Sequence, residues 1–315
     1  MVSLTFYVPP GIGDFSAMYQ KLCNIDREMV IKPANDSPNR MSPFLDILPG
    51  VKNGGYAGHN AMISVTQTLP PGTDLASLPD GDYFLSINQW LEDGYLVADW
   101  IPGETSYHYE MDNKKYISHA EEFLNSVWLQ DSPVIGVYCS AYGNARHWGF
   151  WTYEEWRKFL ELVIKVVPKD SQFVFLGAEY DLQIAELLHM WMLSNNIPSY
   201  LTLGAFHIGA TVEIIRQLDY FFVFPSGLGF LADVVDTPHT MWFPPNLKSM
   251  RGTFCDPENY ASGQTCHAMF STPETAFELF KANELKFLED KSCRKYHQAS
   301  LSLKQKLSQT FSAKK

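Results

Sequence analysis

The chain reads as an α/β protein of two Rossmann-like lobes facing a cleft, on three observations. Its 315 residues suit two domains of roughly 100–200 residues each. Short apolar runs recur, each followed by a turn and a stretch of helical spacing. Strands alternating with helices in this way imply a parallel sheet, because parallel neighbours need crossover connections. Hydrophobic residues make up 46% of the chain, with 21 Phe, 16 Tyr and 8 Trp, enough to fill ordinary cores without external staples.

The first strand is the run that ends at Val8, stopped by Pro9-Pro10-Gly11. Gly11-Ile12-Gly13-Asp14 then reads as a tight turn, and Phe15 to Leu22 has helical apolar spacing. From Ile31 to Thr73 the chain is rich in Pro, Gly and Asn; Ile47, Leu48 and Val51 are its anchors and Met62 to Val65 a strand. A further strand is predicted over Tyr83 to Ile87, and Asn88 to Met111 mixes aromatics with acids, as a substrate-facing excursion or a solvated loop would.

A helix over about His119–Leu129 ends at Asp131-Ser132-Pro133, where proline breaks regular structure. The linker is placed there, dividing residues 1–130 from 131–285, with 286–315 as a helical tail returning to brace the first lobe. Val134 to Tyr138 restarts the series. Its helix, about Thr152 to Val167, opens with Thr152 and Glu155 in capping-box spacing. Gln172–Gly177, Tyr220–Phe224 and Thr240–Phe243 are the next strands; Asp181–Ser194, Thr211–Gln217 and a stretch ending at Val235 are the helices. From Pro273 the chain reads as helical to about Phe311, interrupted near Asp290 to Cys293.

With 24 Lys+Arg against 35 Asp+Glu, the net charge of -11 opposes the basic footprint that phosphate backbones select. The five cysteines are scattered and odd in number, which fits free thiols in a reducing compartment. No uncharged run approaches the ~18–20 apolar residues of a membrane span, and the N-terminus lacks a basic leader. The expectation is a cytoplasmic chain without a transmembrane segment.

In open parallel sheets, ligands bind beyond the carboxyl ends of the strands, and four strand-to-helix turns carry candidate chemistry. At Gly11–Asp14, Asp14 is either a functional carboxylate or a helix cap. The turn Ser140 to Trp148 contains Arg146, whose guanidinium suits phosphate oxygens. The third turn, Gly177-Ala178-Glu179-Tyr180-Asp181, offers an acid that accepts from ribose hydroxyls or caps the next helix. In the fourth, Ser226-Gly227-Leu228-Gly229, small residues coincide with a helix start, the makings of an anion site. Cys255, Cys266, His267, Cys293 and His297 lack a CxxC pair and make a weak zinc motif. No P-loop, HExxH or GxSxG elbow is present.

Taken in order, these turns resemble glycosyltransferase family nine, the ADP-heptose lipopolysaccharide heptosyltransferases and their relatives. The resemblance rests on Gly11–Asp14, Leu48-Pro49-Gly50-Val51, Arg146-His147-Trp148, Gly177-Ala178-Glu179 and Ser226-Gly227-Leu228, across most of residues 1–245. It implies a GT-B fold, with the acceptor on the first lobe, the donor nucleotide on the second, and no metal or other cofactor. By the same resemblance Asp14 is the general base, Arg146 a phosphate contact, Glu179 a ribose ligand, and Ser226, Gly227, Leu228 and Gly229 a diphosphate cradle. Gly13, Trp90, Glu92 and Tyr95 are acceptor-side candidates. Pro225 and Phe230 depart from the family's late motif, and Arg146 replaces its lysine. The implied activity is an inverting, metal-independent transfer of sugar from a nucleotide-diphosphate donor to a hydroxyl of a glycan or other acceptor. Two alternatives stand beside it: the same fold glycosylating a hydroxylated base in phage-type DNA, which the acidic total disfavours, and a non-catalytic nucleotide-sugar-binding protein.

Overall fold

The computed structural model describes residues 4–34, 38–58, 69, 72–85, 101–127, 132–139, 151–243, 256, 258, 265–269, 272–283 and 285–289. Two all-parallel sheets organise them. The first is built from β1 (Leu4–Val8), β2 (Met29–Pro33), β3 (Val51–Asn53) and β4 (Gly81–Phe84), in the order β3-β2-β1-β4, with α1 (Ile12–Leu22), α2 (Pro38–Leu45) and α3 (Lys114–Val127). β1 lies inside the sheet, paired to β2 and β4, so Leu-Thr-Phe-Tyr-Val is buried throughout. That is the pattern of a strand covered on both faces.

The second sheet has the order β10-β9-β8-β5-β6-β7. Its strands are β5 (Val134–Val137), β6 (Gln172–Phe175), β7 (Ser199–Leu201), β8 (Tyr220–Val223), β9 (His239–Phe243) and β10 (Thr265–Met269). Between and after them run α4 (Tyr153–Ile164), α5 (Leu182–Ser194), α6 (Ile208–Gln217), α7 (Gly227–Val234), α8 (Pro273–Asn283) and α9 (Lys286–Glu289). At the start of α4, the Glu155 carboxylate accepts from both the N–H (2.7 Å) and the hydroxyl (3.0 Å) of Thr152, the back-reaching half of a capping box.

Each sheet reverses its winding once. In the first, the chain steps from β1 outward to β3 and returns to place β4 on the other side of β1; in the second it steps from β5 to β7 and returns to place β8 on the other side of β5. These reversals are where open α/β sheets leave a crevice at their carboxyl ends. The helix after β1 is α1 and the helix after β8 is α7, so both begin at such a point.

Among the described residues there are two apolar cores. One runs from the first sheet through Phe15, Phe44 and Leu124 to Val212, Ile215, Phe230 and Leu231 on α6 and α7, crossing between the lobes. The other lies on the far face of the second sheet, where Trp151, Trp156, Phe159, Phe222 and Trp242 pile together beneath α4, α5 and α8. Trp156 Nε1–H donates to the Cys139 carbonyl (2.9 Å) and so enters this core with its polar atom satisfied.

Several elements differ from the sequence reading. The glycines at 11 and 13 do not make a separate turn, because α1 begins at Ile12 with Gly11 as its cap position. β4 begins at Gly81, α3 at Lys114 and α6 at Ile208, all earlier than predicted, and β2, α2, β3, β7 and β10 are additional. Ile47 and Leu48 are buried anchors as expected, while Val51 is half-buried on β3. The predicted strand at 62–65 lies outside the described residues. So do 290–315 of the tail; its described start places Leu288 in the second lobe's outer core.

Candidate active site

The first turn of α1 has no side-chain cap. Phe15 N–H donates to Gly11 O at 3.0 Å, so the amides of Ile12, Gly13 and Asp14 precede the ladder and have no intrahelical acceptor. Asp14 folds back over the cap: a Cβ on Gly11 would lie 2.6 Å from Asp14 Oδ2, so only glycine admits this rotamer. Among the described residues the Asp14 carboxylate has no hydrogen-bond partner, and burial pushes its pKa up to about 6. A carboxylate in a first turn is ordinarily favoured by the helix dipole; here the loss of water outweighs that help. Asp14 is therefore not the cap of α1.

α7 supplies the opposite wall. Its cap residue Ser226 accepts from Gly229 N–H through Oγ (3.3 Å). Of the four residues that the resemblance assigns to a diphosphate cradle, Ser226 and Gly229 bond to each other, and the amides of Gly227 and Leu228 have no partner among the described residues. Gly229 has a packing reason instead, since a Cβ there would lie 2.8 Å from Met241 Cε and 3.1 Å from Phe224 O.

The two helix starts meet. A Cβ on Gly13 would come 2.8 Å from Phe230 Cδ2, and one on Gly227 would come 2.9 Å from Ile12 Cβ. Asp14, on the first lobe, therefore stands next to the amide-bearing turn of the second. Ile12 and Phe230 complete this junction, a packing role that their places in the two sequence motifs do not reveal until the lobes are docked.

Beyond β6, the short 3₁₀ turn Glu179–Asp181 separates two acids that the sequence left equivalent. Asp181 is buried and its Oδ2 reaches back to accept from Ala178 N–H (2.9 Å), while its side chain makes no cap bond to the amides of α5. Glu179 is exposed, its stem lying over Gly204, and its carboxylate has no hydrogen bond among the described residues. Arg146, Trp90, Glu92 and Tyr95 lie outside the described residues, as do Cys255, Cys293, His297 and the side chains of Cys266 and His267. Cys23 and Cys139 are free thiols. Among the described residues, no group of three or more His, Cys, Asp or Glu is placed to hold a metal ion, and no helix is long and apolar enough to cross a membrane.

The chain matches no protein-family model and no curated protein sequence. Solved structures resemble it along nearly the whole length. The ADP-heptose lipopolysaccharide heptosyltransferase II of E. coli aligns with a TM-score of 0.59 at 12% identity, covering 90% of this chain and 99% of that one. A glycosyl transferase family 9 protein from Veillonella parvula aligns with a TM-score of 0.58 at 12% identity, covering 89% of each. The E. coli heptosyltransferase WaaC, solved with ADP, aligns with a TM-score of 0.51 at 11% identity, covering 91% and 100%. The fold is the two-lobed GT-B architecture of family-nine heptosyltransferases.

Proposed function

We propose that the chain is an inverting glycosyltransferase that moves a sugar from a nucleoside-diphosphate donor to an acceptor hydroxyl without a metal ion. The observation that carries this reading is the Asp14 carboxyl, unpartnered among the described residues and with its pKa raised to about 6, at the junction where helices from the two lobes meet. A base with a pKa close to the working pH is suited to take a proton and later release it.

In the proposed step, the acceptor O–H gives its proton to Asp14 as the oxygen's electron pair forms a bond to the anomeric carbon. The bond from that carbon to the diphosphate oxygen breaks on the opposite face, and the pair leaves with the diphosphate. The Gly227 and Leu228 amides and the positive end of α7 receive the developing charge, the service a metal ion performs elsewhere. Glu179 binds the ribose, and Arg146, which follows β5 in the sequence, adds a fixed positive charge. Trp90, Glu92, Tyr95 and Gly13 remain acceptor-side candidates. The neighbour solved with ADP makes ADP and ADP-sugars the first donors to try.

The test is a thermal-shift series with ADP, UDP, GDP and their sugars, followed by a transfer assay with the stabilising donor. A ligand at ~100 times its Kd stabilises by ~2.7 kcal/mol. Stabilisation by one nucleotide diphosphate followed by turnover supports the reading. No response to any of them overturns it, and binding with neither hydrolysis nor transfer identifies a non-catalytic binding protein instead.

A further inference from the structure

Residues 101–111 form a strap along α1. Gly103 O accepts from Lys21 Nζ (2.7 Å), Ser106 N–H donates to Gln20 O (2.8 Å), and the Tyr109 hydroxyl pairs with Ser16 Oγ (2.7 Å) in a buried bond. From this strap His108 reaches the other lobe. Its Nδ1 lies 3.2 Å from the carbonyl oxygen of Val234, and its Nε2 lies 2.8 Å from Asp256 Oδ2. Val234 is the last residue of α7, and the Asp256 amide donates to Asp233 Oδ2 on the same helix (3.0 Å).

Both partners of the ring are acceptors. A neutral imidazole has a single N–H and satisfies one of them, whereas the imidazolium satisfies both. The location favours a cation as well: the last carbonyls of a helix lack intrahelical donors and mark its negative end. Burial of the ring, the largest single effect, works against the charge. The hydrogen bonds to Asp256 and Val234 and the charges of Asp236 and Asp233 together outweigh it and leave the His108 pKa raised.

We infer that His108 is a positioning residue, a protonated clasp tying the strap on α1 to the C-terminal end of α7, and that it sets how these helices meet at Gly13 and Gly227. Losing the ring proton releases one end of the clasp. Since the folded-state pKa is the higher one, the stabilisation is fully present below the ordinary histidine value of ~6.5 and is lost as pH rises through the folded value. The clasp stands whether or not Asp14 is a catalytic base.

The experiment uses the full chain. NMR of the histidine ring nitrogens, with His108 assigned by the signal missing in His108→Gln, reads the protonation state directly. Melting of the parent and of His108→Gln is compared at pH 6 and pH 9, and amide exchange of the strap is followed across the same range. The expected result is an imidazolium at pH 6, a melting deficit in the variant that shrinks sharply at pH 9, and strap amides in the parent whose protection, taken relative to the base-catalysed intrinsic exchange rate at each pH, falls roughly tenfold over the titration, as loss of one charge-assisted bond implies. Asp256→Asn, which keeps the side-chain shape, should move the titration toward the ordinary value. A neutral single tautomer at pH 6, or a melting deficit equal at both pH values, overturns the proposal.

Discussion

Gly13 and Gly227 stand back to back: a Cβ on the first would lie 3.2 Å from the amide nitrogen of the second, and a Cβ on the second 3.3 Å from the amide nitrogen of the first. Neither glycine is needed for its own φ angle; each is needed for the other's proximity. In an isolated helix Gly→Ala stabilises by roughly 0.5–1 kcal/mol. Gly13→Ala should do the reverse, because the methyl group meets the Phe230 ring and backbone that cannot yield, and overpacking costs ~1–3 kcal/mol. Urea unfolding reads the difference as a lower midpoint at unchanged slope. Adding Phe230→Leu should recover part of the loss, with a coupling of about 0.5–3 kcal/mol. A stabilised Gly13→Ala would mean that the helices do not touch.

Asp14→Asn should lower turnover by ~10²–10⁴ while leaving donor affinity unchanged. As a base must be ionised, kcat/KM of the parent should rise with pH through an inflection near the carboxyl pKa of about 6, and the variant should lack that limb. Folding stability carries the opposite sign. The folded state holds the Asp14 proton more tightly than the unfolded chain, whose value is ~3.9. Its contribution therefore falls as pH rises from ~4 toward 6 and is level above. Turnover of Asp14→Asn within a few-fold of the parent would end the assignment.

The two acids beyond β6 should separate cleanly. Asp181→Ala leaves Ala178 N–H without its acceptor and should cost ~1–3 kcal/mol of stability. Glu179→Ala should leave melting within ~0.5 kcal/mol of the parent and weaken nucleoside and nucleoside diphosphate by the same factor. Calorimetry with both ligands checks this; a loss confined to the diphosphate would move Glu179 away from the ribose.

Asn113, the residue before α3, is joined to α6 through a buried pair in which its Nδ2 donates to Glu213 Oε1 at 2.5 Å, with Arg216 Nε 3.1 Å from the same oxygen. Asn113→Ala leaves a buried carboxylate short of a donor and should cost ~1–3 kcal/mol, measured by thermal melting at pH 7. An unchanged melting temperature would show the bond to be dispensable.

The second lobe was legible because strands covered on both faces are written as unbroken apolar runs; Val134–Val137 and Tyr220–Val223 are buried at every position. The capping box at Thr152 and Glu155 was legible for a similar reason, since all its information lies within four residues. The first lobe hid more. β2 alternates buried and half-buried positions and ends in Lys-Pro, α2 contains Pro43, and β3 is three residues long, as is β7 in the second lobe, too short for a periodicity to emerge. The Gly227 turn was found from composition, but not the reason for its glycine. Ile12 and Gly13 are far off in sequence, and only docking of the lobes brings them to it.

The apolar core that starts beneath β1 and ends at α7 joins the two lobes in one buried cluster. Contacts such as Gly13 with Gly227 close a loop of about two hundred residues, whose entropic cost grows only with the logarithm of length but whose closure is slow, as distant pairings are. The first lobe must therefore wait, its inner face uncovered, until the chain beyond β8 has been made. During synthesis the Gly13–Gly227 junction and the His108 contact to α7 come into being together, and a fragment cut between the two sheets would leave the inner face of this core bare.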